Sequence, residues 1–162
     1  MATVADIFRM LNSMRNEGVV VSYAVCGGIA GLFYTADVVR TFEIEVMIAD
    51  PKAVCEWAAS RGYEVKDEHI YVHGVPVQML DAGIGLEHEA ISTANTLEYE
   101  GVPVRVIKPE YIVVIYAKVG GRNHITRALD ILEIGEIDLN LVDLLVQKYQ
   151  LQPQWHKLNS MR

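Results

Sequence analysis

The stretch Tyr23 to Ile48, YAVCGGIAGLFYTADVVRTFEIEVMI, carries the pattern on which the fold turns. A β-branched run from Val19 to Val25 leads into it and reads as a buried strand that ends at Cys26-Gly27-Gly28. The segment IAGLFYTA reads as a short apolar helix starting directly from those glycines. Val38 to Ala49 reads as a second strand, with Ile44, Val46 and Ile48 on one face and Glu43, Glu45 and Met47 on the other.

Each half of this block has two readings. A helix that begins at Gly27-Gly28 exposes free backbone N–H groups, and a missing Cβ lets a phosphate approach closely. The same glycines also serve as a tight strand-to-helix turn. Glu43 and Glu45 point to one face with Cβ atoms roughly 6 to 7 Å apart. That pair suits a Mg²⁺ ion held between protein and nucleotide phosphates, or equally a solvated strand face. Arg40 is either a phosphate clamp or an ion-pair partner that neutralises the glutamates.

Outward from the block, Val4, Ile7, Phe8, Leu11 and Met14 recur at helical spacing, with Thr3 and Asp6 as a capping box and Gly18 as the stop. Asp50-Pro51 predicts a helix running to Arg61-Gly62. Tyr63 to Ala82 reads as two or three short strands with a turn at His73-Gly74. Leu86 to Leu97 reads as a helix, Val102 to Ile107 as a strand, and Pro109 opens a helix closed at Gly120-Gly121. The rest is a helical tail from about residue 122, with Asn123 and Asp138 as N-caps. Without strict βαβ alternation, the expectation is an α+β fold: one domain over residues 1–162, with a mixed β-sheet flanked by helices and a helical C-terminal part.

The chain has 162 residues, 51% hydrophobic and 22% charged, and a net charge of −7. No basic cluster is visible, so general nucleic-acid binding is not expected, and a nucleotide or a protein is the better partner. No apolar run is long enough for a membrane span, and the first residues lack the pattern of a signal peptide, which makes the cytoplasm the expected compartment. The histidines lack metal-ligand spacing. Cys26 is read as a small buried residue at a strand end. Lys118 and Arg122 either face a nucleotide across the cleft or cap a helix C-terminus.

The Tyr23–Ile48 block is similar to the opening of the small bacterial nucleotidyltransferase-fold family, the minimal nucleotidyltransferase or AbiEii-like proteins. Those proteins run strand, Gly-Gly, short helix, Arg-x-Thr-x-Asp-x-Asp, strand. The resemblance continues weakly through GVPVQMLDAG (Gly74 to Gly83) and the segment Leu86 to Arg122. It implies Mg²⁺ on Glu43 and Glu45 as the catalytic pair, and the phosphates of a nucleoside triphosphate at Gly27, Gly28, Arg40 and Thr41. The implied reaction moves a nucleoside monophosphate to a hydroxyl of a protein, RNA or small molecule.

Four departures favour a second reading, a catalytically inactive relative that binds a nucleotide or a partner protein. Both aspartates of the motif are glutamates here, each longer by about 1.5 Å. Gly28 stands where a serine is common. The third carboxylate falls near Gln78, with Asp81 three residues on, and Asn123-His124 replaces a Lys-Asp pair.

Overall fold

The computed structural model describes residues 3–35 and 43–162. Arg40, Thr41 and the first part of the expected second strand lie outside them. The elements in order are α1 (Val4–Asn16), β1 (Tyr23–Cys26), α2 (Gly27–Leu32), β2 (Ile44–Ile48), α3 (Pro51–Ser60), β3 (Glu64–Lys66), β4 (His69–Val72) and β5 (Val75–Asp81). They continue as α4 (Gly85–Ser92), β6 (Asn95–Tyr99), β7 (Val102–Val106), α5 (Pro109–Val119), α6 (Arg122–Ile134), α7 (Leu139–Lys148) and α8 (Gln152–Asn159).

The strands form one mixed sheet in the order β3-β4-β5-β2-β1-β7-β6. β1 runs antiparallel to β2 and parallel to β7, and β2 runs parallel to β5. Alternation along β1 and β2 sends Tyr23 and Val25 to one face and Cys26, Glu45 and Met47 to the other. On the first face α1 meets Tyr23, whose hydroxyl donates to Asn12 Oδ1 at 2.7 Å. On the second, Ile112, Ile115 and Tyr116 of α5 lie over Cys26 and Met47. The buried apolar side chains make one cluster from Ala5 on α1 to Leu158 on α8. No helix among the described residues is long and apolar enough to cross a membrane.

Three sequence expectations shift. The first strand begins at Tyr23 rather than Val19, because Val19 is taken up in ending α1. Gly18 N donates to Arg15 O and Val19 N to Met14 O, the paired bonds of a Schellman motif. Val21, expected to be buried, is 96% exposed. The helix expected over Leu86 to Leu97 stops at Ser92, and Asn95–Tyr99 pairs antiparallel with β7. Between those strands Glu100 and Gly101 both take positive φ, +48° and +77°, as the tight two-residue hairpin turn requires. Asn123 lies inside the first turn of α6, which Gly121 caps instead.

Other expectations match the observed elements. Asp50 caps α3 by accepting from Ala53 N at 3.0 Å, and Asp138 caps α7 by accepting from Asn140 N at 3.0 Å. The Asp6 carboxylate accepts from Thr3 N at 3.0 Å and Thr3 Oγ1 at 3.2 Å, which holds its pKa below the ordinary value.

Candidate functional site

The register of β1 on β2 sets Cys26 opposite Glu45. Gly27, the next residue, takes φ +64°, a left-handed backbone that favours glycine. A Cβ there would also overlap the Glu45 carboxylate. Backbone and side chain therefore both demand glycine, and the carboxylate lies directly over the strand-to-helix junction.

Glu45, Cys26 and Gly27 line a cavity of about 210 Å³ beneath α5, together with Met47, Asp81 and Tyr116. Glu87 stands in its wall and pairs with Lys118 Nζ at 2.6 Å, so the cation weighed for a nucleotide is engaged by a carboxylate. Burial, followed by Glu45 and Cys26, pushes the Tyr116 phenol up to about 12, although Arg127 pulls the other way. Tyr116 is thus a neutral phenol at physiological pH. Burial first, then the charge of Glu45, pushes the Cys26 thiol well up, which keeps it protonated and poorly nucleophilic. His124 lies against Tyr116, with ring centroids 5.1 Å apart, and its Nδ1 donates to the Gly120 carbonyl at 2.9 Å. In a neutral ring that leaves Nε2 as the acceptor nitrogen.

The residues expected at the site divide. Glu45 and Gly27 come together. Gly28 does not line the Glu45 cavity; with Gly27, Tyr116, Gly31, Arg127 and Asp130 it lines an adjoining crevice of about 30 Å³. That is about the share of one water molecule in the liquid. Glu43 precedes β2, and its Oε2 lies 3.4 Å from His69 Nε2 on β4. Arg40 and Thr41 are not among the described residues.

Strand pairing places His69 two strands from β2, in the row of Glu45, within reach of Glu43 just before the strand. Glu45 pairs with Gln78 on β5, and Gln78 pairs with His69 on β4. One row across the sheet therefore reads Glu45, Gln78, His69, with a neutral amide beside Glu45. Sequence reading missed His69, Glu87 and Tyr116 because each reaches the site from another element. The one sequence signal for His69 was its place in the hairpin that turns at His73-Gly74.

No protein-family model matches the sequence, and no curated protein matches it. Solved structures do. A nucleotidyltransferase-like antigenic protein of Paracoccidioides brasiliensis aligns over 98% of this chain and 86% of its own, with a TM-score of 0.65 and 19% identity. The antibiotic-resistance factor ANT(2'')-Ia, crystallised with adenylyl-2''-tobramycin, aligns over 93% of this chain and 99% of its own, with a TM-score of 0.61 and 15% identity. The chain has the nucleotidyltransferase fold. At these identities the likeness concerns the fold alone.

The divalent cation implied by the resemblance can be tested against the donors that this nucleotidyltransferase fold presents. A two-metal arrangement needs carboxylates that converge on ions about 3.5–4 Å apart. Glu45 instead lies against Gly27 on the β1 side, while Glu43 faces His69 beyond β5. Among the described residues no group of three or more His, Cys, Asp or Glu side chains is placed to hold an ion. A two-metal site does not fit. A single Mg²⁺ is less demanding, because it keeps waters and binds through one or two carboxylates plus substrate phosphates. Glu45, alone over Gly27, fits that description.

Proposed function

We propose that this chain is a relative of the small bacterial nucleotidyltransferases, the minimal or AbiEii-like group, that binds a Mg²⁺–nucleoside triphosphate and has lost the two-metal transfer reaction. The observation that carries the reading is the separation of the two glutamates, with Glu45 over Gly27 in the cavity and Glu43 turned toward His69. In this reading Glu45 holds the ion, and the backbone at Gly27 and Gly28 receives the phosphates. Arg40 and Thr41 remain assigned to those phosphates by the motif. A bound Mg²⁺ would supply the positive charge that offsets the repulsion between the Glu45 carboxylate and a triphosphate. Without it, the two anions repel.

The chemistry of transfer asks for more than binding. It needs donors that follow the charge developing at the attacking and leaving oxygens. Gln78, beside Glu45, carries no charge, and both glutamates are longer than the motif's aspartates. The test has two parts. ATP with Mg²⁺ should raise the melting temperature, because a ligand that binds only the folded state stabilises it. Incubation with α-labelled nucleoside triphosphates should leave no label on the protein itself, on RNA or on hydroxyl-bearing small molecules.

One observation favours the alternative, a metal-dependent transferase acting on a hydroxyl acceptor: Asp81 lines the same cavity as Glu45. Asp81 Oδ1 accepts from Gly83 N at 3.1 Å, a bond that holds it at the end of β5. Labelled product that disappears in Asp81→Asn would establish that reading and overturn the first.

A further inference from the structure

Away from the acidic cavity, a groove of about 600 Å³ runs between α1 and the start of β7. Arg9, Arg15 and Arg105 line it, with Ser13, Asn16 and Thr96, and no Asp or Glu among the described residues does so. The sequence shows no basic cluster because these cations come from two elements about ninety positions apart in the chain. The fold assembles them.

The groove is braced rather than collapsible. Asn12 on α1 donates through Nδ2 to the Pro103 carbonyl at 2.7 Å and accepts from the Tyr23 hydroxyl at 2.7 Å. That side chain fixes the spacing of helix and strand. Arg105 is held by neutral acceptors, the Tyr23 carbonyl at 3.2 Å from Nε and the Ile91 carbonyl at 2.8 Å from Nη2, so its charge is not cancelled there. Burial, and after it the nearby charge of Arg15, lowers the proton affinity of Arg105. Arg9 pairs with Asp6 Oδ1 at 2.7 Å but remains 58% exposed. Like charges gathered in a preformed groove raise the energy of the empty protein, and an anion bound among them relieves it.

We infer that this groove binds a compact, multiply charged anion, a small phosphorylated molecule. Guanidinium groups match phosphate oxygens bidentately, and hydroxyl and amide side chains such as Ser13, Asn16 and Thr96 complete such a shell. The volume lies within the ordinary range for small-molecule sites. The overall charge of −7 argues for a compact ligand, because an extended polyanion would run from the groove onto acidic surface.

Inorganic pyrophosphate, titrated calorimetrically without Mg²⁺ at low ionic strength, is the probe. Saturable one-site binding is expected, weakening as salt is added. Arg15→Gln should weaken it about tenfold or more. Glu45→Gln should leave it unchanged, which separates this groove from the nucleotide cavity. Ser13→Glu provides a second variant, because it places a carboxylate in the groove without removing any arginine, and it should abolish binding. Three results would overturn the inference: no saturable binding, full affinity in both groove variants, or binding of oligonucleotides with none of pyrophosphate.

Discussion

The cavity at Glu45 and the groove at Arg105 have opposite charge and were built in opposite ways. Glu45, Cys26 and Gly27 belong to two neighbouring strands and the turn that leaves one of them, so a short piece of sequence carries the main parts of the cavity. The groove draws its cations from α1 and β7, held together by Asn12. Local patterning thus reveals the first site and says nothing of the second. The contrast is also chemical. The cavity mixes carboxylates with Ile, Met and Tyr side chains and needs a cation before it can accept a phosphate. The groove offers its charge directly.

The sharpest way to break the account of the cavity is at Gly27. Gly27→Ala forces a side chain into a left-handed backbone and into the Glu45 carboxylate. The expected loss is about 3 kcal/mol or more in chemical denaturation, from backbone strain and overpacking together. Adding Glu45→Ala should recover the overlap but not the strain, so the two changes are non-additive. A neutral Gly27→Ala would mean that Glu45 is not held over the junction.

A second change asks whether the two sites are independent. Glu89 on α4 accepts from Tyr111 on α5 at 3.0 Å, from Lys148 on α7 at 2.7 Å, and from Tyr149. These bonds tie α5, the roof of the cavity, to α4 and α7. Glu89→Gln should cost about 2 kcal/mol, the scale of hydrogen bonds made to a charged group. The bond from Lys148, followed by that from Tyr149, lowers the pKa of Glu89 from its ordinary 4.5. Its stabilisation is therefore fully present above 4.5 and fades as pH falls through the lower folded value. The stability gap between native protein and variant should close over that acidic range. Ile91, two residues further along α4, holds Arg105 of the groove, so unchanged pyrophosphate binding is expected only while that bond persists, and a weakening would show that the two sites share α4.

The smallest effect is expected at Glu43. Its carboxylate is 43% exposed and lies 3.4 Å from His69 Nε2. Exposed pairs of this kind contribute about 0–1 kcal/mol. Glu43→Gln should fall in that range by thermal or urea unfolding. A loss of several kcal/mol would mark Glu43 as a buried structural ion-pair partner.

The legible and illegible parts of the fold follow from the range of the forces that set them. Asp50-Pro51, Asp138 and Thr3/Asp6 act within one turn of a helix, and each was readable as a cap or capping box. So was the mixed sheet with its flanking helices. Val19 was not, because an apolar residue that closes a Schellman motif looks the same in sequence as one that opens a strand. Asn95 to Tyr99 alternates with period two, as a strand should, but it follows a helix with only Thr93 and Ala94 between. Its strand identity depends on β7, which lies beyond the turn. At the site, Gly27 and Glu45 were legible as parts of one cleft, though as members of two separate pairs, Gly27 with Gly28 and Glu43 with Glu45. The contact of Glu43 with His69 was not legible, since His69 arrives through the register of β4 on β5.

The central claim is that the two glutamates have separated in function, and Mg²⁺-dependent ATP binding measured side by side in native protein, Glu43→Gln and Glu45→Gln tests it most directly. The account predicts a stabilising shift in the native protein that requires Mg²⁺, that survives in Glu43→Gln, and that is lost in Glu45→Gln. Equal loss in both variants would contradict it, because it would mean that the two carboxylates share one metal site.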